Sequence, residues 1–487
     1  MRGLFVAAGC LLPACDLVIA LEKHPPNVPV SYEVREVRNG ADGAPTTVTL
    51  DPRLLDVVLA DGTVPSLVTS SDGTVTFARI SETDVYRLAV RLPDDKVVEY
   101  QLATPRVKIV EAVIGRNDRV RPLDIGVVQV VPNAPANTTS YLVTTGLWTE
   151  TPHTVGGMGA TNMSFRFPWP GARRKFGPPG VLASASGDRA YATTSSFRLA
   201  KRGAAYFTLT HACPHTFMAL GVVEASLQCN VAPVPLVRCL HLETDFTGEL
   251  ARIAGVLLPT EHPSKSSGWF VGAAPAPSLA PQVTLDLASR FAFTPSSMPT
   301  TESDDEFVYG NPFPGHAVVV MLSAFHERPF VYPGAMFHMN FPTGARYWST
   351  PADTCDTPEP APALVAIPHA VAIDGAPIDE DGRVVETDPA RELRVTWSDS
   401  DGSVDFYRVV LHEVTEFLTF TTRATRHTYV VTDRLVVVDP SLLEPNKIYA
   451  IEVEAHAGAP NARSGELGTY DLPYAIGTGW SATFRVP

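Results

Sequence analysis

What most constrains this chain is a local pattern that recurs along it. Short runs rich in Val, Thr, Ile, Phe and Tyr are each closed by an Asp-Gly, Pro or Asn turn. The runs at 46–50, 107–113, 125–131, 206–210, 317–322, 404–414 and 449–455 are examples. Such side chains suit a pleated, half-buried surface, and the punctuating residues supply the φ values that tight turns need. Of 487 residues 44 are Pro and 34 are Gly, about 16% together, which works against long helices. One short helix is expected, over 249–258. The pattern predicts an all-β chain of several β-sandwiches, each sheet burying one face, with little helix. No repeat of fixed period is visible, which removes propellers and solenoids. The length suits three or four domains, and 45% hydrophobic against 18% charged residues excludes a disordered chain.

The N-terminus reads as an address. Arg2 precedes an apolar stretch from Leu4 to Ala14, followed by Cys15, the layout of an export signal. The stretch is too short to cross a bilayer, which takes about 20 apolar residues. Leu12-Pro13-Ala14-Cys15 resembles a bacterial lipobox, apart from Pro13. The resemblance implies removal of residues 1–14, lipidation of Cys15 and a tether over 15–30. Ala7-Ala8-Gly9-Cys10 offers a second cleavage point, and a plain secretory signal a third reading.

With Cys10 lost and Cys15 acylated, Cys213, Cys229, Cys239 and Cys355 remain as disulfide candidates, with three ways to pair. The competing use is metal binding: His211, Cys213 and His215 alternate, so a strand would present all three on one face for zinc or copper. Asp399, Asp401 and Asp405 alternate around Gly402 and form a weak calcium candidate, in a segment that also reads as a plain turn between core strands.

Two regions resemble known families. In 31–114, Asp72-Gly73 forms a hairpin turn ahead of Val75 and Phe77, and Tyr86, Leu88 and Val90 follow in alternation. This resembles a carboxypeptidase-regulatory-like β-sandwich, which implies a spacer or display module. In 365–487, Leu393, Val395 and Trp397 share a strand face, and a long run at 406–414 follows. Leu443, Pro445 and Tyr449 then set a corner, and Trp480 begins a closing strand. This resembles a fibronectin type III domain, whose corner tyrosine bonds back to the chain. The central region, 115–364, carries polar β-like runs and Pro/Gly loops, as one large or two packed domains. Segments 114–118 and 309–314 resemble those of large envelope proteins of Gram-negative soil bacteria, a likeness that brings no activity with it. Residues 353–362 read as the linker onward.

No catalytic residue is nominated. Gly-x-Ser-x-Gly is absent, and His326-Glu327 runs into Arg328-Pro329 rather than His-Glu-x-x-His. No Gly-rich phosphate loop follows a strand and opens a helix, so a nucleotide enzyme is not expected, and no cofactor is nominated. The acidic run 302–306 reads as a solvated loop. Phe307, Tyr309 and Phe313 read as packing residues before sugar-stacking ones. A net charge of −14 without a Lys/Arg block excludes nucleic acid as a partner. The expectation is a non-catalytic lipoprotein of a bacterial cell envelope, held to a membrane through its N-terminal lipid and contacting envelope proteins or glycans. The alternative is a secreted carbohydrate-active or other hydrolase with a catalytic central region.

Overall fold

The computed structural model describes residues 27–37, 45–46, 52–79, 81, 84–91, 97–114, 126–131, 139–144, 163–167, 189–216, 224–228, 232–258, 264–274, 290–294, 303–312, 317–359, 364–386 and 391–487. The fold is all-β, 58% strand and 6% helix, with several sheets. The strands used below are β1 (Asn27–Val37), β2 (Leu55–Val58), β3 (Val75–Ala78), β4 (Tyr86–Arg91), β5 (Val97–Leu102) and β6 (Val107–Ile114). They continue with β7 (Arg189–Leu199), β8 (Ala205–Thr216), β9 (Arg238–Thr244), helix α1 (Phe246–Ala254), β10 (Ser264–Ala274), β11 (Arg290–Phe293) and β12 (Ser303–Tyr309). Then come β13 (Ala317–Phe330), β14 (Met339–Ser349), β15 (Pro368–Ile373), β16 (Leu393–Asp399), β17 (Phe406–Phe417) and β18 (Phe420–Val431). The last four are β19 (Leu435–Val438), β20 (Ile448–Ala457), β21 (Glu466–Leu467) and β22 (Tyr474–Trp480).

One ladder runs β7-β8-β11-β10-β13-β14-β22-β20-β17-β18-β5-β4-β2, with only the β18–β5 step parallel. A smaller sheet, β15-β16-β19, lies over its C-terminal part. Alternation along β17 and β20 sends Tyr407, Val409, Leu411, Ile451 and Val453 inward, where they meet Ile373, Val395, Trp397 and Val436 of the smaller sheet. Each such side chain, fully buried, contributes about 1.5–3 kcal/mol. At the edge of this core the Tyr449 hydroxyl accepts the Glu444 N–H at 2.7 Å, the local bond expected of the corner.

The N-terminal strands are continuous with this region. β1 pairs with β3 and, in parallel, with β6, which in turn pairs with β21. Val28, Val30, Phe77, Tyr86 and Ile109 share one core with Phe406, Val430, Ala462 and Leu467. The segment expected as a tether therefore ends inside β1, because Val28 and Val30 alternate into that core. The Asp72-Gly73 hairpin is present: Gly73 has φ 82°, and Ser70 N–H bonds the Thr74 carbonyl at 3.0 Å.

Two local expectations are corrected. α1 begins at Phe246 rather than Glu249, because the Asp245 carboxylate caps it by accepting Gly248 N–H at 2.7 Å. From Ser303 on, the acidic run is strand β12, which pairs with β9 along its whole length. Its alternation turns Asp305, Phe307 and Tyr309 inward, and each is almost completely buried. Asp305 survives burial because it accepts the N–H groups of Arg202 (2.7 Å) and Ala204 (3.0 Å), fixing the turn between β7 and β8.

Candidate functional site

Two places among the described residues gather side chains suited to chemistry or binding. The first is the outer face of β17, β20 and β22. Since the odd positions of β17 and β20 face the core, Arg408, His412, Glu452, Glu454 and His456 fall on the other side. Arg408 and Glu454 stand opposite each other in the ladder and bond at 2.8 Å. His456 Nε2 lies 3.2 Å from the same carboxylate, and its Nδ1 bonds the Tyr474 hydroxyl. His412 Nε2 lies 2.9 Å from Glu452 and its ring stacks on Trp480, over which the Arg423 guanidinium sits at 4.7 Å. Arg346 joins this face from β14, over the Phe325 ring at 4.8 Å.

The electrostatics of this face are internally balanced. Burial disfavours the charged form of Glu454, but Arg408 and His456 outweigh it, so its carboxyl titrates well below the usual range. Glu454 in turn raises Arg408, while burial holds Arg346 below the ordinary guanidinium value against the pull of Glu454 and Glu452. Tyr474, His456 and Glu454 have the connectivity of an acid–base relay. Tyr474 is 1% exposed and His456 2%, so both groups are shut off from solvent. The physical effect of this arrangement is to satisfy buried polar groups and fix the β17–β20–β22 register.

The second place is apolar and open. The β17–β18 hairpin turns at Leu418-Thr419, and the β13–β14 connection passes beside it. Met336 and Phe337 N–H both bond the Thr419 carbonyl, at 2.8 and 3.1 Å. Thr421 N–H returns to the Phe337 carbonyl at 3.0 Å, and the Thr421 hydroxyl accepts Tyr332 N–H at 2.9 Å. Phe337 and Phe420 stack at 4.6 Å. Around that stack Val331, Met336, Phe417 and Leu418 are all exposed, Leu418 to 78%. Leu418 also has φ 62°, the left-handed region that costs an L residue about 1–2 kcal/mol.

The sequence-nominated residues are distributed as follows. Cys239 and Cys355 form a disulfide, with Cα atoms 5.3 Å apart. It ties β9 to the segment read as a linker. That segment is strapped further: Asp353 accepts from Arg238 (2.6 Å) and Tyr309 (2.7 Å), and Glu359 N–H bonds the His241 carbonyl (2.7 Å). Cys15 and Cys229 lie outside the described residues. Cys213 is on β8 opposite Ala192, with its side chain, like that of His215, outside the description. His211 Nδ1 is 3.1 Å from the Thr210 hydroxyl.

Asp399, Asp401 and Asp405 are not brought together. Asp399 accepts from the Tyr407 hydroxyl, and burial raises its carboxyl against that bond. Asp405 accepts Gly458 and Ala459 N–H at 2.9 and 2.8 Å, and Asp401 is exposed. No group of three or more His, Cys, Asp or Glu that could hold a metal occurs among the described residues. Trp269 and Trp348 are buried, as are Phe307 and Tyr309, so these rings pack rather than face a ligand. Trp148, Trp169 and Phe313 lie outside the described residues.

Neither of the two places was singled out from the sequence. The polar face had a signal, the alternating Glu452, Glu454 and His456 within a strand-like run. The tip had one as well: Phe417-Leu418-Thr419-Phe420 puts large apolar residues where a turn normally carries Gly, Asn or Asp. No protein-family model matches the chain, and no curated protein matches it.

Proposed function

We propose that this chain is an exported, lipid-anchored, multidomain β-sandwich protein acting as a non-catalytic binding or structural component of a bacterial cell envelope. Its fibronectin type III-like and carboxypeptidase-regulatory-like parts serve as display modules, and Cys15 carries the lipid. The observation that carries this reading is the Cys239–Cys355 disulfide. A disulfide that ties a strand to a distant segment is the ordinary mark of an oxidising compartment, and it bears on export independently of the N-terminal motif. The closed Tyr474–His456–Glu454–Arg408 chain supports a non-catalytic role, since these charges are used on one another.

The hydrolase alternative would draw on His241 and Asp304, 3.3 Å apart in the central region. Asp304 is also paired with Arg202 and is largely exposed on the β9–β12 ladder, a placement that suits a surface ion pair. The reading is tested by fractionating the native host. Recovery in the envelope with the Cys239–Cys355 bond intact is expected. Recovery in the cytosol with both thiols free would contradict it.

A further inference from the structure

The geometry points to the paired hairpin tip as a membrane-inserting element, its occupant the interface of a zwitterionic lipid bilayer. Four features carry this. Val331, Met336, Phe337, Phe417, Leu418 and Phe420 project large apolar side chains into solvent from two adjoining connections. Water opposes that arrangement, and a hydrocarbon boundary favours it.

The second feature is backbone satisfaction. Met336 and Phe337 N–H share the Thr419 carbonyl, Thr421 N–H takes the Phe337 carbonyl, and Tyr332 N–H takes the Thr421 hydroxyl. Unpaired main-chain groups are what keeps irregular loops out of lipid, and these are paired within the tip. A sugar-binding platform would instead keep hydrogen-bonding groups free beside its rings.

Charge is the third. Between 417 and 422 there is no ionisable side chain, between 329 and 339 only Tyr332 and His338, and the one carboxylate at the shoulder of the hairpin is the exposed Glu416, beside Gly334. The basic residues set back from the tip are largely matched: Arg426 pairs with Glu413 and Glu444, and Lys447 with Glu413. A tip without a basic side chain, flanked by Glu416 on a chain of net charge −14, suits a zwitterionic surface and is repelled by an anionic one.

The fourth is Leu418 itself, at φ 62° in a turn position ordinarily given to glycine. The backbone there accepts strain at a leucine left 78% exposed. This contact is separate from acylation at Cys15, and the two can fail independently.

The test uses the full-length chain carrying Cys15→Ala, mixed with phosphatidylcholine vesicles. Its local readout is peroxide oxidation of Met336, 74% exposed in the free protein, followed by peptide mass spectrometry. Vesicles are expected to slow oxidation of Met336 at least about threefold, by burying its sulfur. Leu418→Gly removes the apolar group and relieves the φ strain, so it is expected to keep or raise thermal stability while raising the lipid concentration needed for half-maximal protection about tenfold. Phe417→Ser with Phe420→Ser is expected to abolish protection. Met336 oxidation unchanged by vesicles would overturn the inference. So would protection that follows protein concentration alone, the mark of a second copy, or protection that needs anionic lipid and disappears in salt.

Discussion

Arg408 and Glu454 face each other across the β17–β20 ladder and bond at 2.8 Å, with His456 3.2 Å from the same carboxylate. One acidic side chain thus holds two cationic or donor groups on adjacent strands. Removing its charge leaves Glu452, already bonded to His412, as the remaining carboxylate acting on Arg408 and Arg346. Glu454→Gln is expected to cost about 2–3 kcal/mol, since a hydrogen bond to a charged group contributes that much and Arg408 is partly solvated. Thermal melts at pH 7 should show a drop of several degrees. An unchanged midpoint would remove this carboxylate from the account.

The same residue sets a pH dependence. Glu454 titrates well below its ordinary value of 4.5 in the folded chain, because Arg408 and His456 outweigh its burial. A depressed carboxyl contributes stability that is fully present above the unfolded value and is lost as pH falls toward the folded one. The gap between wild type and Glu454→Gln should therefore be widest near neutrality and narrow steadily below about pH 4.5. A gap that widens with acid would reverse the assignment.

The strap between β9 and residues 350–359 gives a third test. Cys355→Ser removes a crosslink spanning 116 residues of sequence, for which a loss of about 2–5 kcal/mol is expected. Asp353 and Glu359 still hold the segment by hydrogen bonds. The strap is therefore expected to open locally before global unfolding, and limited proteolysis should cut within 350–359 only in the variant or under reductant. Equal cutting with and without the bond would contradict this.

Tyr449→Phe addresses the C-terminal sandwich. It deletes the acceptor of the Glu444 N–H and leaves the aromatic packing in place. The cost expected is about 1–1.5 kcal/mol, read as a shift in the urea midpoint at constant slope. No shift would mean that solvent satisfies Glu444 equally well.

Much of the architecture was legible because side-chain alternation carries it. The runs at 107–113, 206–210 and 449–455 fall within strands, 404–414 does so from Phe406 on, and the Asp72-Gly73 turn sits where its chemistry places it. The acidic run 302–306 was misread, since a charge cluster normally marks a solvated loop. Its Asp305 is buried only because two N–H groups from the turn after β7 reach it, a long-range fact that no local pattern holds. The disulfide was narrowed to four cysteines but not to a pair, because spacing does not encode which segments meet. The tip went unseen for a related reason. Apolar residues at 417–420 do not by themselves tell a core face from a solvent face, and it is the fold that places them, exposed, at the end of a hairpin.

The function proposed above rests on an acyl chain on Cys15 that holds this protein in the envelope. Metabolic labelling with a clickable fatty-acid analogue, in cells producing either the wild-type chain or Cys15→Ala, tests it most directly. The account expects label in the wild-type protein, none in the variant, and release of the variant from the membrane fraction once the tip is also mutated. Equal labelling of both proteins, or of neither, would contradict it.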